Sequence, residues 1–334
     1  MKILIVKLSS LGDVVHAMPA VQDILGALPD AHIDWVVERG FAPLAQRCQG
    51  VRRVIASDLR RWRKTPFSTD TRSAWRAFKS ELQLEAYDAV IDLQGLTKSA
   101  LVSWLARLSP GGQRYGLANQ TEGSSFEAPA RWVAHQAITL PAHSHAVTRS
   151  RELCAQALHY RVPDELSFGL VAQQAQVSRA STEMASAPGL RGVVALVHGT
   201  SRADKEWPLA HWRALAQRLN ASGLGVVLPH GSPAELETAN DIAQGLAHAQ
   251  VWPLLKLDAL TDALATCHGV IGVDSGLSHI AVALDLPHVQ IYNFDTAWRT
   301  GPLAESPRQR SVFAQPTPSV DAVWQAWLGV SATA

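Results

Sequence analysis

The sequence predicts an α/β protein made of two successive doubly wound, Rossmann-like halves. Three observations predict it. β-Branched apolar runs alternate with helical patterns from Lys2 to Leu108. The same alternation resumes at Val193 and continues to Tyr292. Between the two lies 172–190, a small, polar stretch closed by Pro188-Gly189 that reads as a linker. Strands that alternate with helices pair in parallel, because the helix carries the chain back across the sheet. At 334 residues the chain has enough length for two cores. Open sheets of this kind bind ligands beyond the C-terminal ends of their strands, so two such halves imply a cleft.

Lys2–Val6 is a continuous apolar run, as expected of a strand buried on both faces. A Ser-Ser-Leu-Gly-Asp loop follows, then helical periodicity from about Val14 to Leu28. His32–Val37 and Val51–Ala56 read as strands, Ala74–Glu85 as a helix, Ala89–Leu93 as a strand and Lys98–Leu108 as a helix. Residues 110–145, rich in Gly, Pro, Ala and His, show no clear period, and 146–159 are helical. These residues, 1–171, form the expected first domain. In the second, 191–312, the strands are Val193–Val197, Gly225–Leu228, Val251–Leu254, 269–273 and His288–Tyr292, the last closing the sheet. Its helices are Pro208–Ala221, Pro233–Leu246, Asp258–Cys267 and the segment around Ala281–Leu284. A terminal helix, Val320–Leu328 within 313–334, is expected to cross back to the first domain.

The composition, 47% hydrophobic and 18% charged, is that of a folded globular chain. A net charge of +1 excludes a polyanion binder as a whole, yet Arg52–Lys79 holds nine basic residues against Asp58 and Asp70. That segment carries +7, leaving −6 for the rest. No aromatic interleaving or nucleic-acid module accompanies it, so nucleic acid is not an expected partner. The core of the segment, Arg60-Arg61-Trp62-Arg63-Lys64, reads either as a solvated loop or as a site for phosphorylated lipid headgroups. Cys48, Cys154 and Cys267 are widely spaced and odd in number, suggesting neither a disulfide frame nor a zinc site. The start is too soon interrupted by polar residues for a signal peptide, and no run of roughly 18 apolar residues occurs, so a cytoplasmic protein is expected.

Polar residues gather at the strand-to-helix turns. The most informative is Asp274-Ser275-Gly276-Leu277-Ser278-His279, between an apolar strand and a helix. Such a turn aims free backbone N–H groups and the positive end of a helix at one point, which suits phosphate. His198-Gly199-Thr200-Ser201-Arg202-Ala203-Asp204-Lys205 offers hydroxyls and a compact cation; it is either a diphosphate site or an ordinary loop with local ion pairs. Glu235, after His230-Gly231-Ser232, is either a ribose ligand or an acid matched to its helix dipole. Asp13, after the first strand, is either a helix cap or a carboxylate base. The loop that contains it has only Gly12, so dinucleotide and P-loop fingerprints are absent. The histidines show no metal spacing.

Four segments together resemble a known family: Ser9–His16, Asp92–Ser99, Arg60–Lys64 and Asp274–His279. They are similar to the bacterial lipopolysaccharide heptosyltransferases of glycosyltransferase family 9, and within them to those that add the first heptose to Kdo. The likeness runs from Met1 to about Tyr292. It implies the GT-B fold, an inverting transfer from ADP-L-glycero-β-D-manno-heptose to Kdo-lipid A, and no obligatory metal. It implies that Asp13 is the general base, that Thr200, Ser201 and Lys205 contact the donor diphosphate, and that Lys205 assists catalysis. Glu235 would bind ribose, the backbone at Leu255 would meet adenine, and Asp274, Ser275, Gly276 and His279 would hold heptose and phosphate. Ser10, Arg60, Arg61, Arg63, Lys64 and Lys98 would meet the anionic acceptor at the cytoplasmic face of the inner membrane, an anionic surface. The chain departs from the family at Asn293–Ala297, where Gly-Pro-Thr-Asp-Pro is usual, and at His230, where tryptophan is usual. Three rival readings remain open: a transferase adding a later heptose, a non-catalytic nucleotide-sugar-binding protein, and a nicotinamide-dependent oxidoreductase, which lacks its glycine fingerprint.

Overall fold

In the computed structural model, which describes residues 1–173, 189–303 and 306–332, the chain divides into two units, Met1–Leu170 and Val171–Ala334. The first holds a six-stranded parallel sheet: β1 (Lys2–Val6), β2 (His32–Glu38), β3 (Val51–Ser57), β4 (Ala86–Asp92), β5 (Arg107–Leu117) and β6 (Gln136–Ile138), in the order β3-β2-β1-β4-β5-β6. The second repeats the plan with β7 (Val193–Val197), β8 (Gly225–Leu228), β9 (Ala249–Val251), β10 (Gly269–Val273), β11 (His288–Tyr292) and β12 (Gln309–Phe313), in the order β12-β11-β10-β7-β8-β9.

Each sheet reverses its winding once, between β1 and β4 and between β7 and β10. At such a switch point the two neighbouring chains leave the sheet in opposite directions and open a crevice beyond their C-terminal ends. The cores follow from the apolar strands. In the first unit Leu4, Val6 and Val90 pack under Phe78 and Leu82 of the helix Thr69–Leu82 and Val102 of the helix Thr97–Leu105. In the second, Val194, Leu196, Ile271 and Val289 pack under Trp212 and Leu215 of the helix Leu209–Ala221.

Several elements differ from the sequence reading. The helix expected to run to Leu108 ends at Leu105, and β5 begins two residues later. β5 contains Ser109-Pro110-Gly111-Gly112 and a break in its register against β4, so no period reveals it. The second sheet does not close at Tyr292: β12 pairs in parallel outside β11, and its polar sequence, Gln-Arg-Ser-Val-Phe, hides it. β9 ends at Val251 rather than starting there. The last helix, Val320–Ser331, packs into the second unit. Val323, Ala326, Trp327 and Val330 are buried in the second unit's core, where the Trp327 ring would collide with a Cβ on Gly269. Most of the expected linker, 174–188, lies outside the described residues. Among the described residues no helix is long and apolar enough to cross a membrane.

Candidate active site

The two switch points carry the chemistry. In the first unit, Ser10 ends the β1 loop as the N-cap of the helix Leu11–Ala27. Both its N–H and its hydroxyl donate to Asp13 Oδ2, at 2.8 Å each. Asp13 thus stabilises its own helix start, and the same contacts fix its carboxylate at the end of β1. Lys7 lies 3.5 Å from the other oxygen, Asp13 Oδ1, with its side chain 3% exposed, and donates to the Leu93 carbonyl at 2.9 Å. Burial alone would raise the Asp13 carboxyl, but the Lys7 charge and the two Ser10 donors outweigh it and hold the group well below the usual carboxylate range. Burial lowers the Lys7 ammonium, and Asp13 opposes that shift. The result is an ionised, oriented carboxylate.

The β4 side of the crevice is built by Asp92, which accepts from Gln94 N–H at 2.8 Å, Gly95 N–H at 3.1 Å and the Ser99 hydroxyl at 2.8 Å. Gln94 turns back, its Oε1 accepting from Leu8 N–H at 3.1 Å and Ser9 N–H at 3.0 Å, so the β4 loop braces the β1 loop. Lys98 Nζ donates to the Ser9 hydroxyl at 3.0 Å. Burial pushes Asp92 up to about 6 even though these donors pull it down.

The Asp92 arrangement gives a pH prediction. A carboxyl raised in the folded state favours the protonated fold, so its contribution to stability is lost as pH rises from about 4 to about 6. Asp92→Asn can keep every bond: its oxygen accepts from the two N–H groups, and its amide donates to Ser99, which donates on to Leu96 O. The melting temperature of Asp92→Asn relative to the parent is expected to rise by several degrees between pH 4 and pH 7. A difference independent of pH would contradict the assignment.

The basic segment forms a separate feature of the same unit. Arg60 and Arg61 lie on the short helix Leu59–Trp62, and Arg63 and Lys64 follow it; all four are exposed around the buried Trp62. Arg60, Arg61 and Lys64 line a cavity of about 340 Å³ with Glu38, Phe41 and Asp58. The Arg60 guanidinium stands 5.9 Å over the Phe41 ring. Glu38 is 5% exposed, its Oε1 has no hydrogen-bond partner, and burial raises its carboxyl.

In the second unit Asp274 follows β10 directly and is the hub. Lys205 Nζ donates to Asp274 Oδ2 at 2.5 Å. His279 Nε2 lies 3.5 Å from Oδ1, with Gln290 Nε2 at 3.4 Å and the Thr300 hydroxyl at 3.5 Å. Thr200, after β7, donates to the Asp274 carbonyl at 3.3 Å, so the two sides of the switch point are joined. Burial would raise Asp274, but His279 and Lys205 hold it far below the ordinary carboxylate range. Ser275 is the N-cap of the helix Gly276–Ala283, yet its hydroxyl makes no cap bond; that oxygen is shielded from solvent and has no partner. The first turn of a helix has N–H groups without intrahelical acceptors, and here the cap side chain takes none of them. Gly272 lets this helix pack closely on β10, because a Cβ there would sit 2.5 Å from Ser278 Oγ.

The Lys205 loop is held from outside. Asn293 Nδ2 donates to the carbonyls of Asp204 and Glu206, at 3.0 and 2.9 Å, on either side of Lys205. Arg202 pairs with Asp204, the local ion pair that the sequence left open for this loop, and Ser201 is exposed beside it. Next along the sheet, Glu235 Oε2 accepts from Gly231 N–H at 2.6 Å, and Ser232 caps the helix through Glu235 N–H. Gly199 approaches so closely that a Cβ would lie 2.6 Å from Glu235 Cδ. His198 is buried nearby with Nε2 unpartnered; burial and His230 lower it to about 4, so it is neutral at pH 7. Leu255 is half-buried in the segment after β9.

The structure therefore gathers Thr200, Lys205, Asp274, Ser275, Gly276 and His279 at one switch point, with Glu235 one strand away. It gathers Ser10, Asp13 and Lys98 at the other. Lys7, Asp92, Gln94, Glu38, Gln290, Asn293 and Thr300 were not singled out from sequence as site residues. For Lys7 and Asp92 a signal existed: each is a charged residue at the end of an apolar run. Among the described residues no group of three or more His, Cys, Asp or Glu side chains is placed to hold a metal.

The glycosyltransferase family 9 (heptosyltransferase) profile matches residues 75–325. The chain belongs to that family. It is 40% identical over 294 residues to lipopolysaccharide heptosyltransferase 1 of Escherichia coli K12, covering 87% of this chain and 88% of that one. Its structure is similar to E. coli heptosyltransferase WaaC with ADP, with a TM-score of 0.84 and 35% identity over 97% of this chain and 98% of that one. WaaC with ADP-2-deoxy-2-fluoro heptose matches at a TM-score of 0.80 and 34% identity, with the same coverage. The two-sheet architecture of this glycosyltransferase is the GT-B fold.

Proposed function

We propose that this heptosyltransferase moves L-glycero-D-manno-heptose from ADP-heptose to a Kdo hydroxyl of Kdo-lipid A, inverting the anomeric centre. The observation that carries the reading is the Asp274 knot. An ionised carboxylate fixed by Lys205 and His279 stands beside an uncapped helix start with an unpartnered serine hydroxyl, an arrangement suited to a sugar diphosphate. The relatives described above, named for ADP and an ADP-heptose analogue, support that donor.

In the reaction, Asp13 takes the proton of the acceptor hydroxyl as its oxygen bonds to the anomeric carbon. The bond from that carbon to the β-phosphate oxygen breaks, and ADP leaves with the electron pair. Lys205, the Thr200 and Ser201 hydroxyls and the helix start at Ser275–Gly276 stabilise the growing phosphate charge. Asp274 and His279 hold the heptose, Glu235 takes the ribose hydroxyls, and the backbone at Leu255 meets adenine. Arg60, Arg61, Arg63, Lys64, Lys98 and Ser10 hold the anionic acceptor, which places the protein peripherally on the cytoplasmic face of the inner membrane. ADP release is the direct test. Release dependent on both ADP-heptose and Kdo-lipid A is expected; consumption only with an already heptosylated core would assign the protein to a later step.

The basic segment makes a separate prediction. Replacing Arg60, Arg61 and Lys64 with glutamine is expected to raise the acceptor KM about tenfold or more while leaving the donor KM unchanged. The effect should shrink as added salt screens the exposed charges. A change confined to the donor KM would move the acceptor elsewhere.

A further inference from the structure

The helical layer over one face of the first sheet has an outer surface that the transfer reaction does not use. Trp62 packs edge-on against Trp75, with centroids 5.6 Å apart, and against Phe78 at 5.5 Å, tying the basic segment to the helix Thr69–Leu82. The C-terminal end of that helix is joined to the helix Thr97–Leu105: Gln83 Nε2 donates to Leu105 O at 2.8 Å, and Arg107 Nη1 to Gln83 O at 2.9 Å. A third helix, Ala128–Val133, is tied in at both ends. Glu127 accepts from Thr97 N–H at 2.7 Å; Arg114 donates to Ser103 O and Trp104 O and reaches His135 Nε2 at 3.4 Å. These contacts join the three helices and the basic segment into one layer.

That face is an unusual place for indoles. Trp104 is 62% exposed and Trp132 76%, and Leu101, one turn before Trp104, is exposed with them. The exposed charges on the same helices and their ends include Arg72, Arg76, Lys79, Arg107 and Arg131. The acids Asp70, Glu81 and Glu127 stand at helix ends, and Glu127 is engaged by Thr97. Tryptophan with one apolar and one polar edge is at home at the headgroup level of a bilayer. Clustered arginine and lysine complement an anionic lipid surface, while keeping the face too charged for an ordinary protein core.

We propose that this three-helix face is the surface on which the protein lies against an anionic bilayer, with Trp104 and Trp132 seated among the headgroups and the basic side chains on the lipid phosphates. The inference deepens the acceptor reading, since a lipid-borne acceptor would then reach the Arg60–Lys64 pocket along the same surface. The vesicle-binding measurement itself needs neither substrate.

The full-length protein is sedimented with vesicles of phosphatidylcholine mixed with phosphatidylglycerol and with vesicles of phosphatidylcholine alone. Binding to the anionic vesicles, weakened by salt, is expected. The Trp104→Ala/Trp132→Ala variant should lose about tenfold or more of it. Arg76→Gln/Arg131→Gln should weaken binding and flatten its salt dependence. These side chains are exposed, so the variants should melt with the parent and keep its turnover on a deacylated, water-soluble acceptor. Equal vesicle binding by the tryptophan variant, or no binding by the parent, would overturn the proposal. So would a concentration-dependent dimer in sedimentation velocity that the tryptophan substitutions abolish, because the face would then belong to a second copy. If vesicle binding behaves as expected but no heptose reaches Kdo-lipid A, the acceptor reading fails and the membrane face stands.

Discussion

Asp13→Asn is expected to lower turnover by about 10²–10⁴-fold, the usual contribution of a positioned general base, with little change in ADP-heptose affinity. Asparagine can still accept from the Ser10 donors that now hold Asp13 Oδ2, so the helix start survives. What is lost is the negative charge 3.5 Å from Lys7. A buried cation stripped of its partner destabilises a fold by about 3–5 kcal/mol. The loss here is smaller, because a third of Asp13 is exposed and Lys7 keeps its bond to the Leu93 carbonyl. A melting curve therefore accompanies the kinetics, and near-parental turnover in a folded Asp13→Asn enzyme would remove the residue from the base role.

The pH dependence follows from the same geometry. A depressed carboxyl contributes stability that is present above its unfolded value and lost only as pH falls through the folded one, and it remains a competent acceptor throughout that range. The acid limb of kcat/KM should thus lie below the ordinary carboxylate range. Lys7→Met, which removes the charge that depresses Asp13, should move that limb upward.

Lys205→Ala is expected to cost about 10²–10³-fold in kcat, the typical effect of deleting one preorganised group that meets charge growing in the transition state. Without a metal in the proposed mechanism, this ammonium is the principal cation at the leaving diphosphate. The substitution also strands Asp274, 6% exposed, without its shortest partner. Because His279, Gln290 and Thr300 still surround that carboxylate, the protein should remain folded though less stable. Lys205→Arg separates the two effects. It restores the charge and the pair, so stability should return to near the parent. Turnover should recover only in part, since a planar guanidinium replaces a compact ammonium in a fixed loop. Full turnover in Lys205→Ala would place the phosphate-stabilising charge elsewhere.

The legible parts of the chain were those where burial imposes one chemistry on a whole segment. β1, β4, β7 and β10 are apolar because both sheet faces are covered, and they can be read directly. The polar residues that interrupt the chain just after them, at Ser9–Asp13 and Asp274–His279, stand out by contrast. β5 and β12 were not legible. One is broken by Pro110 and its glycines and the other is an edge strand with polar residues, so neither carries a period. The last helix shows only that it has an apolar side, not whose. Val323 and Trp327 settled that by filling the second unit's core.

By itself, the sequence determined the two-sheet plan and the polar turns that hold Asp274 and Asp13, because these depend on local order: a strand, a turn residue and a helix start in succession. Only the tertiary structure decided which charges meet. Lys7 reaches Asp13, Asn293 brackets Lys205 from 88 positions away, and Arg114 ties the Trp104 carbonyl to His135, through contacts between segments distant in the chain. Electrostatic strength depends on distance and burial, and neither exists until the chain has folded.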